Sequence, residues 1–339
     1  MNALERMRRR LRGEPVDRPP NFDIMMQFAA HFIGQPLSRY YLDYRVLCDA
    51  NFAMVEQFGL DILQAISDPY REAYDWGAAV SFPDDGLPEA HAPLLADPDD
   101  LDRLKTPDPA TGRRMSDRLE AVRRFRERAG GEVPIMGWVE GALAEAADLR
   151  GMTNLLVDVY ERPEWVETLL ERCAQVAIAF ARAQIAAGAD IIGLGDAVAS
   201  QVSPRMYQQF ALPYEQRIFA AVHELGGLAR LHICGDTTHL LPLMAQSGAD
   251  IIDVDWMVDM GAAARTFGQT AVCGNFDPLA VMLRGTPDEV YRATIHCMEQ
   301  GGARSFSAAG CEIPDGTPLA NLRAQAQALA DFGKNGAPA

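Results

Sequence analysis

Gly188-Ala189-Asp190-Ile191-Ile192-Gly193-Leu194-Gly195-Asp196 and Gly248-Ala249-Asp250-Ile251-Ile252-Asp253-Val254-Asp255 are two copies of one pattern. A helical stretch ends in glycine, a short turn follows, and an apolar β-rich run comes next. Glycine supplies the left-handed turn past a helix C-terminus at low steric cost. A continuous apolar run suits a strand buried on both faces, as in a parallel sheet. Extended outward, the pattern predicts eight strands, near 21–25, 61–65, 133–138, 190–195, 229–233, 250–255, 270–274 and 304–308. Helical patterns fill the spaces between them. The clearest runs from Pro163 to Ala187, with Trp165, Leu169, Cys173, Val176 and Phe180 at helical spacing; residues 204–225, 286–300 and 318–332 read similarly.

Eight βα units in 339 residues predict an α/β fold, a single (β/α)8 TIM barrel over residues 1–339. It carries an N-terminal extension and long insertions after the first and second strands. The second insertion, residues 67–109, is rich in proline and aspartate and too long for a bare loop, so short elements are expected within it. A doubly wound sheet is the alternative, but the glycine fingerprint it would carry after its first strand is missing.

Composition narrows the partners. Lys+Arg 31 against Asp+Glu 47 gives a net charge of -16, which repels nucleic-acid backbones. No apolar run approaches the roughly 20 residues that cross a bilayer. The arginine-rich N-terminus lacks an apolar signal core, and residues 7–12 read as a solvated helix face. A cytoplasmic protein is expected. Six cysteines are too few for a disulfide scaffold in a chain of this length, so each is judged as ligand, nucleophile or packing.

The chemistry concentrates at Leu231-His232-Ile233-Cys234-Gly235-Asp236, at the end of the fifth strand. Residues i and i+2 of a strand share a face, so His232 and Cys234 converge while Ile233 packs the other way. Imidazole plus thiolate suits zinc. Taken alone, the pair also reads as a core histidine beside a buried cysteine. Cys311, in Gly310-Cys311-Glu312-Ile313-Pro314 after the eighth strand, supplies a third donor at the same end of the barrel. Three ligands with an open fourth position is the pattern of a catalytic zinc. Cys48, Cys173, Cys273 and Cys297 have no such partners. Among strand-end carboxylates, Glu140 and Asp196 are the candidates for catalysis, with helix capping as the plain alternative; Glu140 is also a candidate fourth ligand or base. His239 is a candidate to support the ligands, and His31 to line the pocket.

These residues resemble the uroporphyrinogen decarboxylase superfamily. The resemblance lies in 231–236, in Gly195-Asp196, in Gly274-Asn275-Phe276-Asp277-Pro278, in 310–314 with Thr317-Pro318, and in the opening Gly13-Glu14-Pro15-Val16-Asp17-Arg18-Pro19-Pro20. It covers nearly the whole chain and implies a (β/α)8 barrel. Of the two chemistries in the superfamily, the metal-free decarboxylases carry an arginine-rich motif after the first strand; residues 25–34 here hold no arginine. The other branch, the cobalamin-dependent methyltransferases of the coenzyme M and O-demethylase type, uses H-x-C plus a later cysteine for zinc. That match implies zinc on His232, Cys234 and Cys311. It also implies a methyl group exchanged between a corrinoid protein and a small substrate, either a thiol acceptor or a methoxy or methylamine donor. His223-Glu224-Leu225-Gly226 lacks the aspartate of a cobalamin box, so the corrinoid is expected on a separate partner. Decarboxylase-like lyase activity and a non-catalytic small-molecule-binding barrel are the alternatives. The arginine-free stretch predicts that the pure protein forms no coproporphyrinogen from uroporphyrinogen, and rapid product formation would overturn that expectation.

Overall fold

The structure is a computed structural model describing residues 1–334; the last five positions of the expected 1–339 domain lie outside the described residues. Seven strands form one sheet: β1 (Leu63–Gln64), β2 (Ile135–Glu140), β3 (Ile191–Gly195), β4 (Leu228–His232), β5 (Ile251–Asp253), β6 (Ala271–Phe276) and β7 (Ser305–Ala309). They pair in that order, all parallel.

The predicted first strand joins the barrel through residues 20–22. Asn21 bridges Ser307 in parallel, Phe22 N–H donates to Ser307 at 2.8 Å, and Asp61 N–H donates to the Asn21 carbonyl at 2.9 Å. It stays short for two reasons. Pro19 and Pro20 have no N–H for a ladder, and carboxylates take over: Asp61 receives Asn21 N–H at 2.8 Å, and Asp23 receives Ala309 N–H at 2.8 Å.

Alternation along the strands makes two cores. Phe22, Ile62, Met136, Ile191, Ile251, Ala271 and Phe306 fill the barrel interior. Ile135, Val139, Ile192, Leu194, Leu231, Ile252 and Val272 face the helices. The longest helix spans Pro163–Ala187, as predicted, and ends at Gly188 in the left-handed region. The predicted 204–225 helix is two, Pro204–Phe210 and Leu212–Glu224. Pro213 lies at the break and cannot donate back into the preceding turn. The 67–109 insertion contains a helix (Arg71–Trp76), a small antiparallel pair (Val80–Ser81 with Glu89–Ala90) and a 3₁₀ turn (Pro98–Arg103). Among the described residues no helix is long and apolar enough to cross a membrane.

The helix Ala3–Leu11 corrects the reading of residues 7–12 as a solvated face. Arg10 is buried and donates to the carbonyls of Ser305 (2.8 Å) and Gly302 (2.8 Å). Arg6 is also buried, on Asp17 and Asp61. A guanidinium carries five donors, so strand-end carbonyls and carboxylates can pull it under the barrel floor. Asp61 closes the seam, taking Arg6 and Arg18 at 2.6 Å each as well as Asn21 N–H. Removing a buried partner strands its cations, so Asp61→Ala should cost about 3–5 kcal/mol in a urea melt; a change within about 0.5 kcal/mol, the range of an ordinary surface substitution, would show the seam is held elsewhere.

Candidate metal centre

Strand register builds the site. Glu140 on β2 pairs with Gly195 on β3, Gly195 with His232 on β4, and His232 with Asp253 on β5. These residues form one row across the barrel mouth. His232 Nε2 lies 2.9 Å from Cys234 Sγ and 4.0 Å from Cys311 Sγ, and the two sulfurs are 3.4 Å apart. Zinc–sulfur and zinc–nitrogen bonds of about 2.3 and 2.0–2.1 Å, set tetrahedrally, put such atoms about 3.5–3.8 Å apart. The three donor atoms lie within 4.8 Å of one another, so the donor set fits zinc, with the 2.9 Å hydrogen-bond distance between His232 Nε2 and Cys234 Sγ lengthening to admit it. Two local features allow the convergence. Gly235 turns the chain with φ +95°, and a Cβ on Gly310 would sit 2.4 Å from Asp255 Oδ1, so only glycine lets the Cys311 loop approach.

The imidazole is oriented from behind. His232 Nδ1 lies 2.9 Å from Asp253 Oδ2, and Arg230 Nε donates to both Asp253 oxygens at 2.9 and 3.1 Å. All three side chains are buried. A proton on Nδ1, donated to Asp253, leaves the Nε2 lone pair facing the thiols. Burial disfavours the Asp253 charge, but Arg230 and His232 outweigh it and hold the carboxyl below its ordinary value. The hydrogen bond between the two thiols pushes Cys234 up and pulls Cys311 down.

Glu140 stands at the mouth as the last residue of β2, two positions further along the strand than predicted. Its Oε1 receives Arg71 Nη2 at 2.9 Å and Trp138 Nε1 at 3.2 Å. Burial, reinforced by Glu72 and opposed by Arg71, pushes its carboxyl up to about 7. It is not among the gathered donors. Asp196, expected at the mouth, is fully buried instead. Its Oδ1 receives Ala144 N–H at 2.9 Å, capping the helix Ala142–Arg150 from a neighbouring loop. Asp196 has the parity of Ile192 and Leu194, which face the helices, so the strand turns it away from the mouth and the unpaired N–H groups of that helix donate to its carboxylate. His239 is likewise elsewhere, its Nε2 3.1 Å from the Val202 carbonyl. His31 sits between Asp85 (3.1 Å) and Asp315 (3.0 Å). Cys48, Cys173, Cys273 and Cys297 are buried.

Sequence reasoning passed over Asp253, Arg230, Arg71 and Glu312, and read Asp255 only as a strand-end residue. Asp253 and Arg230 share the alternation of His232, so an inward polar residue in each apolar run was the available signal. Arg71 gave none, because it belongs to an irregular insertion. A cleft of about 530 Å³ lined by Met7, Arg8, Leu228 and Asp250 lies at the opposite, N-terminal end of the strands, away from these groups.

A parallel (β/α)8 barrel with an imidazole and two thiols gathered at the C-terminal ends of its strands is a barrel-enzyme architecture. The chain belongs to the uroporphyrinogen decarboxylase (URO-D) family, whose model matches residues 2–332. It is 30% identical over 344 residues to methylcobamide:CoM methyltransferase MtbA of Methanosarcina mazei, covering 97% of each chain. It is 27% identical over 367 residues to uroporphyrinogen decarboxylase of Coxiella burnetii, covering 97% of this chain and 95% of that one. A solved methyltransferase structure from Methanosarcina mazei superposes with a TM-score of 0.89 at 25% identity, covering 98% of this chain and 99% of the other.

Carboxylates that orient a metal-binding histidine are typically worth about 10–100-fold in metal affinity. Asp253→Asn is therefore expected to weaken zinc binding by about that factor in a chelator competition and, because it leaves Arg230 without its counter-charge, to lower stability as well. Unchanged affinity would mean Asp253 serves Arg230 alone.

Proposed function

We propose that the protein is a zinc-dependent methyltransferase moving a methyl group between a corrinoid on a separate protein and a small substrate, a thiol acceptor or a methoxy or methylamine donor. The observation that carries the reading is the convergence of His232, Cys234 and Cys311 at the barrel mouth, with both sulfurs only partly buried. The named methyltransferases among its relatives support it. Bound to these three residues, zinc supplies a Lewis acid that lowers the pKa of a thiol or polarises a methyl-bearing heteroatom.

The remaining roles belong to side chains of the protein. Asp253 keeps the Nδ1 proton of His232 in place. Glu140, poised near neutrality, takes or returns the proton of a bound thiol at its carboxyl. Asp196 positions the Ala142–Arg150 helix beneath the mouth. The apolar rim gives a partner somewhere to sit: Trp256, Met257, Leu279 and Leu319 follow β5, β6 and β7 and are all exposed.

Elemental analysis should find about one zinc per chain, lost in Cys234→Ser and Cys311→Ser. Methyl transfer should require an added corrinoid protein. Glu140→Gln should lower turnover by about 10²–10⁴-fold if it carries the proton. Asp196→Ala should cost about 0.5–2 kcal/mol in stability and leave turnover of the folded protein intact. Full zinc retention in both cysteine variants would sink the reading. A turnover loss in Asp196→Ala without a stability loss would return Asp196 to catalysis.

A further inference from the structure

The ring of charge around the three donors says what kind of molecule can lie against them. Glu140 flanks His232 across Gly195, which has no side chain; a Cβ there would be 3.3 Å from Glu140 Oε2. Asp255 flanks Cys234, its Oδ2 receiving Gly235 N–H at 2.7 Å. Glu312 follows Cys311 directly, with Oε1 receiving the N–H groups of Met26 (3.1 Å) and Gln27 (2.9 Å). Three carboxyl groups therefore border the cluster.

The nearby cations are committed elsewhere. Arg71 is fully buried against Glu140 (2.9 Å) and Glu72 (3.3 Å). Arg230 lies beneath the cluster on Asp253. Arg114 is buried on Asp68, and His31 is held between Asp85 and Asp315. Two cysteine thiolates would already balance a zinc dication, leaving no surplus positive charge there. The indole of Trp138, whose ring centroid is 6.1 Å from that of His232, lies buried beneath this border.

Resting on the methyltransferase reading above, we propose that the small molecule presented to His232, Cys234 and Cys311 is neutral or cationic at its far end. A thiol with an anionic tail, such as the 2-mercaptoethanesulfonate of coenzyme M, is rejected. A sulfonate here would join three carboxyl groups, and among the described residues Arg71, Arg114 and Arg230 are already paired; a half-buried charge without a partner is costly. A hydroxyl escapes that penalty. An ammonium group gains the bordering carboxyl groups.

Three thiols of equal length separate the possibilities: 2-mercaptoethanesulfonate, 2-mercaptoethanol and 2-aminoethanethiol. Each is titrated into cobalt(II)-substituted protein, with the thiolate–cobalt absorption band as readout and each affinity corrected for the thiol's own ionisation. The sulfonate should bind at least about tenfold more weakly than the neutral thiol, with the ammonium thiol tightest. Glu140→Gln and Asp255→Asn should each narrow the gap between the ammonium and sulfonate thiols, and should do so more than they change binding of the neutral one. A sulfonate that binds as tightly as 2-mercaptoethanol overturns the proposal and leaves the methyltransferase reading intact. Failure to load cobalt, or the absence of a thiolate band with all three probes, removes the methyltransferase reading and this proposal with it.

Discussion

Asp253 holds two groups at once: the imidazole of His232 through one oxygen and the guanidinium of Arg230 through both. Much of the site depends on that arrangement. A buried arginine at the centre of an apolar barrel is costly unless it is paired and hydrogen-bonded. Asp253 supplies the charge, and the Phe22 carbonyl takes a further Arg230 N–H at 3.2 Å. The carboxylate that neutralises Arg230 is thereby fixed in place, and it can in turn fix the histidine. Strand register does the rest, because His232 and Asp253 are paired positions on adjacent strands.

The mouth above this pivot holds more acids than arginines, and its arginines are paired. Arg71 is surrounded by Glu72 and Glu140, and Asp68 by Arg114. Glu145 lies buried close by with neither carboxyl oxygen hydrogen-bonded. Burial and the neighbouring acids push its carboxyl well above the ordinary value. The insertion after β1 thus brings in a cation and the acids that neutralise it together. Glu140 stays within reach of solvent, while Arg71 does not. The side of the mouth that meets a ligand is therefore acidic, although an arginine lies a single hydrogen bond beneath it.

How much of this could be read from the sequence depends on the kind of order involved. The strands came from repeated glycine-turn-apolar runs, and the Pro163–Ala187 helix from its period, because both patterns are local. The convergence of His232 with Cys234 followed from alternation, and Cys311 from the rule that loops after strands open on one end of the barrel. Glu140 lay two residues from its expected place relative to the strand end, an even shift that kept it on the inner face. Asp196 shares the parity of Ile192 and Leu194, so alternation carried on from the strand turns it to the helix side, where a helix N-terminus received it. Arg10 looked solvated by charge alone; carbonyl groups at the barrel floor, invisible in a linear reading, buried it. Arg71 and Asp253 act through partners on other segments, so their importance becomes visible only once the strands are paired.

A fold shared at 27–30% identity with a named decarboxylase and a named methyltransferase does not by itself choose a chemistry. The choice lies in which inward positions carry donors and which carry cations. A polycarboxylate substrate needs arginines that face the cavity without internal partners. Here the arginines near the mouth are internal: Arg71 is spent on Glu72 and Glu140, Arg114 on Asp68, and Arg230 on the support of a histidine. What the mouth offers a ligand is two thiols, an imidazole and a border of carboxyl groups. Soft donors suit a thiophilic metal and soft-atom substrates. The same arrangement that turns anions away leaves sulfur chemistry at the strand ends, and the protein's position within its family rests on that difference in side chains over a common barrel.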